Sequence, residues 1–158
     1  MEIKKITLDD KDRKILEILQ KDGRATLKEI GGQVNLSIDS VHKRLKKLLS
    51  SGVISKIGAF LEPPALGFEM VAVVQIKLHN ISQDEHDSFI SYLVNSKHTI
   101  EVISTLGRFD ITCVFIAKKA EDLEKIYRGV RHDFREIIAD WESTINLKVH
   151  KFEEYNLF

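Results

Sequence analysis

Apolar and polar positions follow two different periods along this chain, and the change falls near residue 69. Before it, apolar residues recur every three or four positions, as on one face of a helix; beyond it, stretches of strict alternation interleave with helical ones. Residues 8–20 predict a first helix, with Asp9 as N-cap, Ile15, Leu16 and Leu19 as the apolar stripe, and Asp22-Gly23 as the stop. Thr26-Leu27-Lys28-Glu29 has the form of a capping box and predicts a short second helix through Ile30 and Val34, although Gly31-Gly32 is poor helix material. Asn35-Leu36-Ser37 then turns into a third helix with Ile38, Val41, Leu45, Leu48 and Leu49 on one face. Ser37 supplies an N-cap oxygen, Asp39 puts negative charge in the first turn, where the helix dipole favours it, and Gly52 sits where a helix stops. Three short helices with a tight turn between the last two form a helix-turn-helix pattern.

Residues 53–61 are rich in strand formers, and Pro63-Pro64 forbids continuation of either ladder or helix, which predicts a strand followed by a hinge. Met70, Ala72, Val74, Ile76 and Leu78 alternate with Val71, Val73, Gln75 and Lys77 in a first sheet strand. Ser82 or Asp84 can cap a helix through Phe89, Ile90, Leu93 and Val94. Residues 100–106 and 111–117 read as strands joined by the turn Gly107-Arg108-Phe109-Asp110, and a second helix over residues 120–130 carries Leu123, Ile126, Tyr127 and Val130 on one side. Ile145, Leu147 and Val149 alternate along a last strand ending near Phe152. The order is βαββαβ, a ferredoxin-like α+β arrangement with helices on one face of an antiparallel sheet. Val71, Val73 and Ile103 fall on the other face, which argues that a second subunit covers it.

Composition changes this picture in two respects. With 158 residues, 43% of them hydrophobic, the chain has room for one ordinary domain or two small ones. No run of about 18 apolar residues exists to cross a membrane, and Met1-Glu2-Ile3-Lys4-Lys5-Ile6 lacks the apolar core of a signal peptide. The single Cys113 excludes an internal disulfide, fits a reducing cytoplasm and argues against a Cys-based zinc site. The net charge of zero hides an asymmetry: residues 1–62 hold 13 Lys/Arg against 9 Asp/Glu, and residues 63–158 hold 11 against 15. A basic front and an acidic back suggest that only the front meets a polyanion. The polar face of the third helix carries Ser40, His42, Lys43, Arg44, Lys46 and Lys47. At 1.5 Å per residue that helix is roughly 18–20 Å long, which suits a DNA major groove; the plainer alternative is a solvated basic face.

Leu8-Asp9, Asp12-Arg13-Lys14-Ile15-Leu16, Asp22-Gly23-Arg24, Leu36-Ser37 and Gly52-Val53-Ile54, in that order and spacing, resemble the N-terminal domain of the Lrp/AsnC (feast/famine, leucine-responsive) family of prokaryotic transcription regulators. The resemblance implies a winged-type helix-turn-helix DNA-binding domain over residues 1–52, a hinge strand and linker over 53–68, and a ferredoxin-like effector-binding and oligomerisation domain over 69–158. It implies that the hinge strand pairs with its counterpart from a second subunit, and that the protein is a homodimer; whether dimers build a higher oligomer such as an octamer stays open. A sequence-specific regulator of this kind would be cytoplasmic and nucleoid-associated and would bind double-stranded DNA. Two recognition helices in a dimer read half-sites about 34 Å apart, hence a pseudo-palindromic site. Ser37, Ser40, His42, Lys43, Arg44, Lys46 and Lys47 are the candidate DNA contacts, with Arg44 the foremost candidate for guanine and the lysines for phosphates.

The family binds small effectors, typically amino acids, near a Gly-x-x-Asp turn, which Gly107-Arg108-Phe109-Asp110 matches. An Arg can hold a carboxylate bidentately and an Asp can accept from an ammonium; a simple hairpin turn with an Asp hydrogen bond is the alternative. A Thr-x-Thr element lies ahead of the family's last strand; here Trp141-Glu142-Ser143 stands there, with Ser143 keeping a hydroxyl and Trp141 either reshaping the effector cleft or packing as an ordinary aromatic. His42, His79, His86, His98, His132 and His150 show no metal-ligand spacing, and Cys113 reads as a small hydrophobe inside a strand. No phosphate loop, nucleophile elbow or carboxylate pair stands out, so no catalytic residue, metal or cofactor is expected. Two rivals remain on the same scaffold: a siroheme decarboxylase-like enzyme, which would replace the Gly-x-x-Asp turn, and an architectural DNA-binding protein without an effector.

Overall fold

A computed structural model describes residues 6–158; the reading of the N-terminus as lacking a signal peptide rests mostly on residues 1–5, which lie outside the described residues. The chain forms two compact units. One holds the described residues through Phe60 together with Lys151–Phe158, and the other spans Leu61–His150.

In the first unit, polar caps set the helices. Helix α1 (Asp10–Lys21) starts at Asp9, whose carboxylate accepts from the Asp12 N–H at 2.8 Å while the Asp12 carboxylate accepts from the Asp9 N–H at 3.4 Å. Helix α2 (Leu27–Val34) has the predicted box between Thr26 and Glu29 and ends at Asn35 in the left-handed conformation (φ 54°), which Asn tolerates. Helix α3 (Ile38–Ser50) begins at Ser37, whose hydroxyl accepts from the Ser40 N–H at 3.2 Å. Ile15, Ile30, Val34, Val41 and Leu48 form the buried core of this unit. Gly31 is where α2 meets the turn to α3: a Cβ there would lie 2.7 Å from the Leu36 carbonyl oxygen, whereas one on Gly32 would meet nothing within 4 Å. The chain's last residues lie along α1. The Tyr155 N–H donates to Gln20 Oε1 at 2.8 Å, Gln20 Nε2 donates to the Tyr155 carbonyl at 3.3 Å, and Arg13 Nη1 donates to the Leu157 carbonyl at 2.9 Å.

The second unit runs β1 (Met70–Leu78), α4 (Gln83–Asn95), β2 (Thr99–Ser104), β3 (Ile111–Ala117), α5 (Ala120–Asp133) and β4 (Ile138–Ile145), the expected βαββαβ order. The antiparallel sheet is ordered β2-β3-β1-β4. Ala72, Val74 and Ile76 of β1 and Cys113 and Phe115 of β3 point toward the helices and pack with Phe89 and Leu93 of α4 and Leu123 and Val130 of α5. Burial pushes the Cys113 thiol up to about 12, so it stays protonated and packs as a small hydrophobe.

Two expected strands are not where alternation put them. The last strand is residues 138–145, not 145–152: Leu78 pairs with Ile138 and Ala72 with Ile145, and β1 begins at Met70, so Leu147 and Val149 have almost no β1 backbone left to bond. Residues 53–61 form no strand within the chain, and Ile57, Phe60 and Leu61 stand 53%, 76% and 68% exposed. The Ile54 N–H donates to the Leu48 carbonyl at 3.1 Å rather than to a ladder, and among the described residues no strand pairs with this stretch; pairing rather than propensity makes a strand.

Candidate functional site

Helical spacing sorts the side chains of α3 into three arcs. Val41 and Leu48 are fully buried against the first unit's core. Directly opposite stand Lys43 and Lys46, exposed, with Ser50; Ser40 and Lys47 flank them on one side and His42 on the other. Ser37 is exposed at the helix's leading end, where its hydroxyl also meets that of Ser40 at 2.9 Å. Six of the seven expected DNA contacts therefore share the outer surface of α3 or its leading end.

Arg44 departs from that set. Its Nη1 lies 2.7 Å from Asp9 Oδ2 and 2.6 Å from Asp12 Oδ1, so the guanidinium closes over the two carboxylates that cap α1 and is turned away from the outer arc. Asp12 is fully buried, and Lys47 Nζ adds a longer contact to it at 3.5 Å. The hydrogen bonds that Arg44 donates to Asp9 and Asp12 raise its pKa above its ordinary value, and the Asp9 pKa is lowered by the Asp12 N–H and then by Arg44. The sequence carried a usable signal for this. Asp12 precedes Ile15 and Leu16 by three and four positions, so it lies on the apolar stripe of α1, and a buried carboxylate demands a cation.

In the second unit the turn between β2 and β3 is built around Asp110. Its carboxylate accepts from the Leu78 N–H at 2.7 Å and from Lys77 Nζ at 2.9 Å, contacts that lower its pKa, the backbone donor contributing most. The Thr105 hydroxyl donates to the Phe109 carbonyl at 2.7 Å, and Phe109 is buried. Arg108 lies over the Phe109 ring at 4.8 Å and reaches Asp140 at 3.3 Å and Glu142 at 4.0 Å on β4.

Of the six expected effector residues, Gly107, Arg108, Phe109 and Asp110 are thus together, but Trp141 and Ser143 are elsewhere. They are on the helix side of the sheet, where Trp141 packs on Phe115 and Tyr127 (centroids 6.3 and 5.3 Å away) and Ser143 shares a 2.7 Å hydrogen bond with the Tyr127 hydroxyl. Residues 140–145 are strand, so alternation sends Asp140 and Glu142 to the face opposite Trp141 and Ser143. Lys77, Asp140 and Glu142 are the neighbours of the turn that sequence reading missed. Placing β4 correctly would have revealed the last two. Among the described residues no group of three or more His, Cys, Asp or Glu side chains is placed to hold a metal ion, and no helix is long and apolar enough to cross a membrane.

The described chain is thus a helix-turn-helix followed by a four-stranded βαββαβ sheet unit. The winged helix-turn-helix DNA-binding family matches residues 8–55. The HTH-type transcriptional regulator FL11 of Pyrococcus furiosus is 37% identical over 144 residues, covering 91% of this chain and 92% of that protein. An AsnC family transcriptional regulator from Agrobacterium tumefaciens superposes with a TM-score of 0.83 at 23% identity, over 95% of this chain and 97% of the other. The Neisseria meningitidis regulator NMB0573, solved as a complex with L-Met, does so with a TM-score of 0.82 at 23% identity, over 92% and 94%. The chain belongs to the Lrp/AsnC family of helix-turn-helix transcription regulators.

Proposed function

We propose that the protein reads duplex DNA as a homodimer, with the outer arc of α3 in the major groove and a small amino-acid effector at the 107–110 turn tuning binding. The observation that carries the reading is the arc itself: Lys43 and Lys46 stand exposed opposite the buried Val41 and Leu48, with Lys47 exposed on the flank, behind Ser37, Ser40 and His42. The lysines suit phosphates, while the two hydroxyls and the imidazole suit base edges. A dimer presents two such helices and expects a pseudo-palindromic site with half-sites about 34 Å apart. The exposed Ile57, Phe60 and Leu61, and Ile103 at 44% exposure on the open sheet face, give a second copy apolar surface to cover; assembly of dimers into an octamer extends the same reading.

For the effector, the exposed Arg108 suits a carboxylate, and Asp140 and Glu142, which it bridges here, suit an ammonium. The L-Met complex of the Neisseria regulator supports an amino acid as the class. Relatives named as transcription regulators support action by binding rather than by turnover; a DNA-binding regulator of this kind would work in the cytoplasm on the nucleoid.

Fluorescence anisotropy of the gene's own upstream fragment and a scrambled control, at two salt concentrations and with or without an amino-acid pool, tests the reading. Salt-sensitive preference for the upstream fragment, shifted by the pool, is expected. Binding without preference would favour the architectural rival. No binding at low salt would overturn both, and a Soret band on incubation with siroheme would then identify the enzyme.

A further inference from the structure

We infer that Arg44 is a positioning residue: by bridging Asp9 and Asp12 it fixes the pose of α3 on the start of α1, and it acts on DNA only through that pose. This rests on the reading of α3 as the DNA-contacting helix.

Three observations carry it. A single nitrogen, Arg44 Nη1, lies within 2.7 Å of Asp9 and 2.6 Å of Asp12, so the side chain is committed to two carboxylates at once. Asp12 is fully buried, and its two oxygens are taken up by Arg44, Lys47 and the Asp9 N–H. The carboxylates are also the two halves of the capping box of α1, so the direction of the first turn of α1 and the rotation of α3 are fixed by one shared cluster. A guanidinium whose Nη1 is held this way cannot turn its Nη1–Nη2 pair to a guanine without leaving a buried carboxylate short of a partner. Base reading then falls to Ser37 and Ser40 at the leading end of α3 and to His42, with Lys43 left to the phosphates.

The test compares Arg44→Met, Arg44→Lys, Asp12→Asn, the double variant Asp12→Asn/Arg44→Met and Lys43→Ala on upstream and scrambled DNA across a salt series. Every variant is measured well below its own melting midpoint. Lys43→Ala should flatten the salt slope by about one per bound subunit. Arg44→Met should lower affinity for both DNAs by the same factor, on the order of fivefold or more, and leave slope and preference unchanged. Asp12→Asn should weaken binding similarly, although removing a negative charge would by long-range electrostatics strengthen it. The double variant should lose little beyond either single one, and Arg44→Lys should recover part of the loss.

A changed base preference or salt slope in Arg44→Met, or in Arg44→Lys if the Met variant does not fold, would overturn the inference. So would additive losses, or full affinity in folded Asp12→Asn. If Lys43→Ala binds like the wild type with an unaltered slope, the assignment of α3 to DNA fails, and this inference with it. A flattened slope in both Lys43→Ala and Arg44→Met sinks the inference alone.

Discussion

The two units are held together by different chemistry. The sheet unit has a core of 13 buried residues centred on fully buried Phe89, Phe115 and Ile76, and its polar groups lie mostly at the rim. Among its described residues the helix-turn-helix unit buries five apolar side chains, none of them aromatic, and it adds reciprocal caps at Asp9 and Thr26 and the Asp9–Asp12–Arg44 cluster. A unit with so small a core depends on polar geometry for the orientation of its helices, and orientation is what presentation of α3 requires. The sheet unit depends on apolar packing and leaves its turn at residues 107–110 free to carry charge.

The largest effects should come from the cores. Phe115→Ala should cost about 3–5 kcal/mol and Ile15→Ala about 2–5 kcal/mol. Trp141 is the chain's one tryptophan and stacks on Phe115, so its fluorescence in a denaturant titration reports the sheet unit. Phe115→Ala should move that transition, whereas Ile15→Ala should move the far-ultraviolet helical signal and leave the Trp141 transition in place. An equal shift of both signals in both variants would mean the two units unfold as one, and the contrast would collapse.

Next in size is a pair of adjacent glycines. Gly31→Ala drives a Cβ to 2.7 Å from the Leu36 carbonyl and should destabilise the first unit by about 1–3 kcal/mol. Gly32→Ala enters open space inside a helix and should stabilise it by roughly 0.5–1 kcal/mol. Melting midpoints check both signs, and a stabilising Gly31→Ala would show that the α2–α3 turn gives way.

The smallest effect is acid sensitivity. Asp9 and Glu29 in one unit and Glu85 and Asp110 in the other all have lowered pKa values, chiefly through backbone N–H donors for Asp9, Glu29 and Asp110 and through the Ser82 hydroxyl for Glu85. A lowered folded pKa contributes stability above the unfolded value, near 3.8 for Asp and 4.5 for Glu, and loses it as pH falls through the folded value. Both units should therefore melt at unchanged temperature down to about pH 5 and at lower temperature below about pH 4. Since each unit holds two such groups, the decline should be alike in both; a decline confined to one would sharpen the contrast between them.

The same division explains what the sequence made legible. Caps are local, so Asp9, Thr26 and Ser37 marked three helix starts, and of the two candidates Ser82 and Asp84 the cap of the fourth is Ser82. Strand position is not local. The alternation at Ile145, Leu147 and Val149 matches a strand, yet the backbone partner offered by β1 runs from Met70 and fixes the ladder at residues 138–145 instead. That one displacement moved Trp141 and Ser143 off the face of the Arg108 turn and hid Asp140 and Glu142. Arg44 was legible as basic and amphipathically placed, but its partner lay 32 residues away on another helix. Charge counts in a segment carry no information on which cations are already paired.

The return of residues 151–158 to the first unit has a practical consequence for taking the protein apart. The chain leaves that unit after Phe60 and re-enters it at Lys151, so a proteolytic nick in the exposed connection leaves the sheet unit covalently tied to residues 151–158, which residues 6–60 then hold by non-covalent contacts alone. A clone ended at residue 60 would also strip Gln20 and Arg13 of the Tyr155 and Leu157 backbone they bind. The compact helix-turn-helix unit is therefore discontinuous in sequence, and a permutant that places residues 151–158 ahead of α1 would keep its two pieces on one continuous segment.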